Sequence, residues 1–145
     1  FFWETKSPNH QKLYGWGNTL WVYDVDLAQA TERALSQPGQ LTPAALLSGS
    51  GDELARYFTI TSINSSASQE VQIFILKANS ENASFSTIQV SFKDGKLISL
   101  ETLNNLGQKT LFKFSNIVLD KVVPDSRFKF NPNLPGVDVL KDPAL

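Results

Sequence analysis

The chain has no cysteine among its 145 residues, which excludes disulfides, thiol catalysis and cysteine-ligated metals. It has one histidine, His10, in the turn-forming stretch SPNHQ, where an imidazole is ordinarily just solvated. With His10 so assigned, no Ser-His-Asp set can be assembled, and the chain does not read as an enzyme. No run of 18 apolar residues occurs, so no helix can span a membrane. A basic-then-apolar signal peptide is also missing from these residues. Charge of one sign is not in excess: 13 Lys and Arg stand against 14 Asp and Glu. No basic face is forced, and nucleic acid is a poor first partner. The glycine-rich GSGD at Gly49–Asp52 lacks the lysine of a phosphate loop. Asp24 and Asp26 form a DVD pair that could be read as metal-binding. At a strand exit, a solvated turn is the better reading. No cofactor or metal is called for.

What is present is a globular composition, 41% hydrophobic and 19% charged, enough for one domain with a real core. The chain opens on FFWET, aromatic and in mid-strand. Domain starts are usually polar and frayed, so the sequence reads as one that lacks an upstream segment.

Period-two alternation runs through most of the chain. TLWVYDV sets Leu20, Val22 and Asp24 on one face and Trp21 and Tyr23 on the other. Its aromatic and β-branched residues mark a strand. Gly17-Asn18 between KLYGW and this run predicts a hairpin. LAQATERAL is ambiguous: its propensities favour helix, although alternation would also allow a strand. In LTPAALLSG, Thr42 is a good N-cap, Pro43 suits the first helical position, and SGSG ends the helix.

The second half predicts an antiparallel meander of five strands: RYFTITSI, EVQIFILKA, FSTIQVSFK, KLISLETL and KTLFKFSNIVL. Asp94-Gly95 is a strong type I′ hairpin signal. PDSRF predicts one turn of helix, FKFNP a last short strand, and PGVDVL an extended tail. Ile88, Val90 and Phe92 share a face. So do Ile98, Leu100 and Thr102, and so do Thr110, Phe112 and Phe114. The sheet therefore has one greasy face and one mixed face. A greasy face must be covered, and one short helix is thin cover.

The ordered segments FFWET, NTLWVYDVDLAQATERAL, LTPAALLSG and FKFNPNLPGVDVL together resemble the outer-membrane lipoprotein carrier family, LolA. The resemblance spans the whole chain. It implies a mostly β (α+β) fold: an incomplete antiparallel β-barrel with a short helical lid over its concave apolar face, as a single domain over residues 1–145. The family's N-terminal helix and first strands would be lacking here, as would an arginine-proline pair that precedes the aromatic strand, whose arginine helps hold the lid closed in the family. The resemblance also turns LAQATERAL from helix to strand.

The implied function is binding. A periplasmic chaperone would shelter the acyl chains of triacylated lipoproteins, taking them from an inner-membrane ABC transporter of the LolCDE kind to an outer-membrane receptor of the LolB kind, as a monomer when complete. The cavity residues expected are Trp3, Leu20 and Val22 in the early strands. In the meander they are Ile73, Ile88, Val90, Ile98, Leu100, Phe112 and Phe114. Pro43, Leu46 and Leu47 would form the lid, with Leu47 against Leu100 in the unloaded state. The rival readings are the LolB-like receptor itself, a periplasmic sensor or interaction domain of the same fold, and, with almost no support, a lipid hydrolase.

Overall fold

A computed structural model describes residues 1–35, 43–48, 51–64, 71–81 and 83–141. The expected N-cap at Thr42 and the helix-ending Gly49 and Ser50 lie outside these. The chain is mostly β and divides into two compact units, Phe1–Gly49 with Val122–Leu145, and Ser50–Lys121.

The first unit holds strands β1 (Phe2–Thr5), β2 (Gln11–Trp16), β3 (Thr19–Asp24), β4 (Gln29–Ala34) and β10 (Asp138–Lys141), numbered in chain order. They form one sheet in the order β1-β2-β3-β4-β10. β2 and β3 meet in the expected hairpin, closed by the Trp16–Thr19 pair around Gly17-Asn18. The helix that propensity favours over LAQATERAL does not form. After a turn at residues 25–28, residues 29–34 are strand. Asp24 Oδ1 fixes that turn by accepting from the Leu27 N–H at 2.9 Å. Ladders to β3 on one side and β10 on the other, with Ala30 wholly buried, outweigh a propensity difference of a few tenths of a kcal/mol per residue. The family resemblance had the segment right.

FKFNP is not a strand. Phe128 closes a 3₁₀ turn, Asp125–Phe128, which matches the helical turn expected of PDSRF. Pro132 lacks a ladder donor, and Asn131 Oδ1 accepts from the Asn133 N–H at 3.0 Å, holding a turn. The last strand is instead β10, in the segment expected to be an extended tail. It runs parallel to β4, with Asp138 beside Gln29 and Lys141 beside Glu32. A parallel pair requires a long crossover, and the second unit lies within that crossover.

Two short helices occur where one was expected. Helix α1 is Pro43–Ser48 and helix α2 is Gly51–Tyr57. The sequence signals for the second are acidic Asp52 at its start and Arg56 in its last turn, both favourable to the helix dipole.

The second unit's sheet is the expected antiparallel meander. Its strands are β5 (Phe58–Asn64), β6 (Val71–Ala78), β7 (Thr87–Lys93), β8 (Lys96–Leu103) and β9 (Lys109–Lys113), paired in sequence order. Asp94 and Gly95 turn the β7–β8 hairpin with φ of 51° and 71°, as a type I′ turn requires. β9 is shorter than KTLFKFSNIVL implied. It ends at Lys113, although the Phe114 N–H still donates to the Ile98 carbonyl at 3.0 Å. No helix among the described residues is long and apolar enough to cross a membrane.

Candidate functional site

In the first unit, register sorts the side chains onto two faces. Phe2 lies across from Tyr14, and Tyr14 across from Trp21. The returning chain covers this aromatic face. The Phe130 ring sits 5.5 Å from Tyr14, 4.9 Å from Trp21 and 5.5 Å from Tyr23. Arg127 stacks over Phe2 at 4.7 Å, and Lys129 Nζ over Trp16 at 4.2 Å. Burial here raises the Tyr14 phenol above its usual value. The segment misread as a strand is therefore a cover that packs on a face, where a strand would have paired at an edge.

Trp3, Leu20 and Val22 stand together on the other face. Trp3 is across from Leu13, and Leu13 across from Val22. Leu20 faces Gly15, against which the Phe1 ring lies so closely that an added Cβ would sit 2.3 Å from it. Leu20 is buried and Val22 half-buried. Leu13 belongs to this group and was missed, because KLYGW is too short to choose its face.

In the second unit one unbroken apolar row crosses four strands: Phe74, Val90, Leu100 and Phe112 are successive register partners. Leu76 pairs with Ile88 in the next row. Phe74 and Phe92 meet edge to face at 5.9 Å. Ile88, Val90, Leu100 and Phe112 of the expected residues therefore share this face. Ile98 and Phe114 meet beside them through the Phe114 N–H to Ile98 carbonyl hydrogen bond, where the β7–β8 register shifts and Phe92 pairs with Leu97.

Ile73 does not share this face. It pairs with Ile63 and Ser91, on the opposite face. Both faces of EVQIFILK are apolar, so alternation could not choose between Ile73 and its neighbours, and a one-residue slip inverts a strand. The β6 residues on the face of that row are Phe74 and Leu76. Cross-strand register, which a single strand's pattern does not carry, is what identifies them. Of the helix residues, Pro43 is half-buried, Leu46 is buried, and Leu47 is 38% exposed.

The polar groups singled out in the sequence have structural work. Asp24 caps the turn described above, and Asp26 Oδ2 accepts from the His10 N–H at 2.9 Å. His10 Nε2 meets Glu4 Oε1 at 2.8 Å. That hydrogen bond, against the opposing effect of burial and with lesser help from the charges of Lys12, Lys6 and His10, holds the Glu4 carboxyl below its ordinary value. Each unit thus carries neighbouring apolar side chains on one sheet face: Trp3, Leu13 and Val22 in the first, and Phe74, Val90, Leu100 and Phe112 in the second.

The family described as outer membrane lipoprotein carrier protein LolA matches residues 1–131. The chain belongs to this family. It is similar to the outer-membrane lipoprotein carrier protein of Coxiella burnetii strain CbuK_Q154, 40% identical over 141 residues, 97% of this chain and 65% of that protein. It is also similar to the proteins of the same name from Pseudomonas paraeruginosa, 34% identical over 142 residues with 98% and 66% covered, and from Pseudomonas putida strain W619, 35% identical over 143 residues with 98% and 65% covered. The chain spans about 65% of the length of these LolA relatives. The aromatic strand, the hairpin and the meander all lie inside the matched segment.

Proposed function

We propose that this LolA-family chain serves as a periplasmic lipoprotein carrier. It binds the acyl chains of triacylated lipoproteins on its apolar strand faces, receives them from an inner-membrane ABC transporter, and releases them to an outer-membrane receptor. The observation that carries this reading is the row Phe74, Val90, Leu100 and Phe112, apolar across four strands. An acyl chain in water costs about 0.8 kcal/mol per methylene, so a lipoprotein leaves a membrane only into such a shelter. Apolar side chains shelter hydrocarbon through non-directional contact without gripping it at fixed points, which suits a cargo that must be handed on.

In this reading the chain forms a single domain, residues 1–145, as an incomplete barrel, and acts as a monomer. Trp3, Leu20 and Val22 of the first unit offer apolar surface to acyl chains, as do Ile88, Val90, Ile98, Leu100, Phe112 and Phe114 of the second. Pro43, Leu46 and Leu47 form a movable lid. Its work is binding and release, with no bond made or broken.

The test is to express the protein from its full gene in a Gram-negative periplasm, purify it, and seek triacylated lipoprotein by mass spectrometry. Cargo should copurify with the parent protein and be lost from Val90→Asp, which places a charge in the middle of the row. A folded parent protein that carries no lipoprotein would overturn the reading.

A further inference from the structure

Arg33 has a donor that the fold leaves unused. It stands in β4 across from Leu20, so its side chain emerges on the apolar face of the first unit, the one away from Phe130. Leu20 in turn faces Gly15 and the Phe1 ring. The next row along the face is Trp3, Leu13, Val22 and Thr31. Arg33 Nε is shielded from solvent and has no hydrogen-bond partner among the described residues. Folded proteins rarely leave a buried donor in that state.

The sheet's own carboxylates are badly placed to take this donor. Glu32 is across from Trp21 and so projects from the aromatic face. Asp24 and Asp138 share the Arg33 face but are both register partners of Gln29, four residues along β4. At about 3.4 Å per residue they lie roughly 14 Å away along the strand. Arg33 is thus a cation at one end of an apolar face whose other end is acidic.

We propose that Arg33 Nε–H donates to one carbonyl oxygen, ester or amide, of an acylated ligand whose hydrocarbon lies along Trp3, Leu20 and Val22. The inference rests on the carrier reading and assigns that site its polar stop. Of the guanidinium nitrogens only Nε is so placed. One carbonyl oxygen, with its two lone pairs, is enough to satisfy that donor. The stop sets how far the acyl chain slides. It also favours acyl glycerides and acylated amines over bare hydrocarbon.

Two synthetic probes test this: a triacylated cysteinyl peptide, and its analogue with the two glycerol esters and the N-acyl amide all replaced by alkyl ethers, so that neither probe carries a charge at these positions. The full protein should bind the first roughly tenfold more tightly, the size expected of a hydrogen bond from a charged donor. Arg33→Met should remove that preference and leave affinity for the ether probe intact. Arg33→Lys keeps the charge without Nε and should also lose the preference. Circular dichroism of each variant confirms the fold. Equal affinity of the parent protein for both probes would overturn the donor role while the carrier reading stands. Equal loss of both probes in a folded Arg33→Met variant would also overturn it, leaving Arg33 a packing residue. Failure of the parent protein to bind either probe would overturn the carrier reading, and this inference with it.

Discussion

In the first unit a sheet face is closed by the chain itself. Phe130 returns from far along the sequence to lie on Tyr14, Trp21 and Tyr23, and β10 completes the sheet edge against β4. In the second unit every strand pairs with its sequence neighbour, and the apolar row is built from strands that follow one another directly. The first unit depends on contacts across long stretches of chain, and the second on local hairpins. Local pairing lowers the loop-closure cost. It also makes the second unit's face readable from alternation and turn residues, whereas the first unit's cover is invisible to both.

The sharpest way to break this comparison is inside the local unit. Leu100 is fully buried in the row. Leu100→Ala should cost about 2–5 kcal/mol, read as a fall in the urea midpoint. Hydrogen exchange should accelerate through β6–β9. Unchanged protection there would mean that the row is not the unit's core.

Phe130→Ala comes next, at about 2 kcal/mol, because the ring is only half-buried. Its damage should fall on β2–β4 and leave the meander's amides protected. If β5–β9 loosened equally, the two units would unfold as one, and the contrast between them would be thermodynamically empty.

Gly95→Ala should cost about 1 kcal/mol, since φ is +71° there and nothing lies within 4 Å of the new Cβ. The penalty is purely conformational. It should appear as stability lost from the β7–β8 hairpin without any change in probe binding.

The smallest effect is electrostatic and confined to the first unit. The folded Glu4 carboxyl is lowered chiefly by the His10 hydrogen bond. The stability it supplies is therefore present above the ordinary carboxylate range and is lost as pH falls through its lowered value. Thermal midpoints between pH 7 and pH 3 should fall less in Glu4→Gln than in the parent protein. Parallel curves would remove Glu4 from the account.

Much of the fold was legible because strands state their faces locally. The Asp94-Gly95 turn, the Gly17-Asn18 hairpin and the order of the meander all follow from residues close in sequence. The failures share a cause. LAQATERAL was undecided between helix and strand until its neighbours on both edges were known. FKFNP alternates like a strand, yet Phe130 is held by three aromatic rings that no local pattern could place. Ile73 was chosen from a strand apolar on both faces, where only pairing with β7 decides. Arg33 gave no sequence signal at all. An arginine in a strand is unremarkable until its row is known to be apolar.

The parallel pair of β4 and β10 also sets a schedule. Gln29 and Asp138 are roughly 110 residues apart in the chain, and closing so large a loop is slow and entropically costly. On the ribosome β4 emerges long before its partner. It must wait with an unpaired edge while the local hairpins of the second unit are already able to form. The strand that waits for so distant a partner is thus the one that carries Arg33. That edge stays open until the four residues of β10 arrive to pair with it.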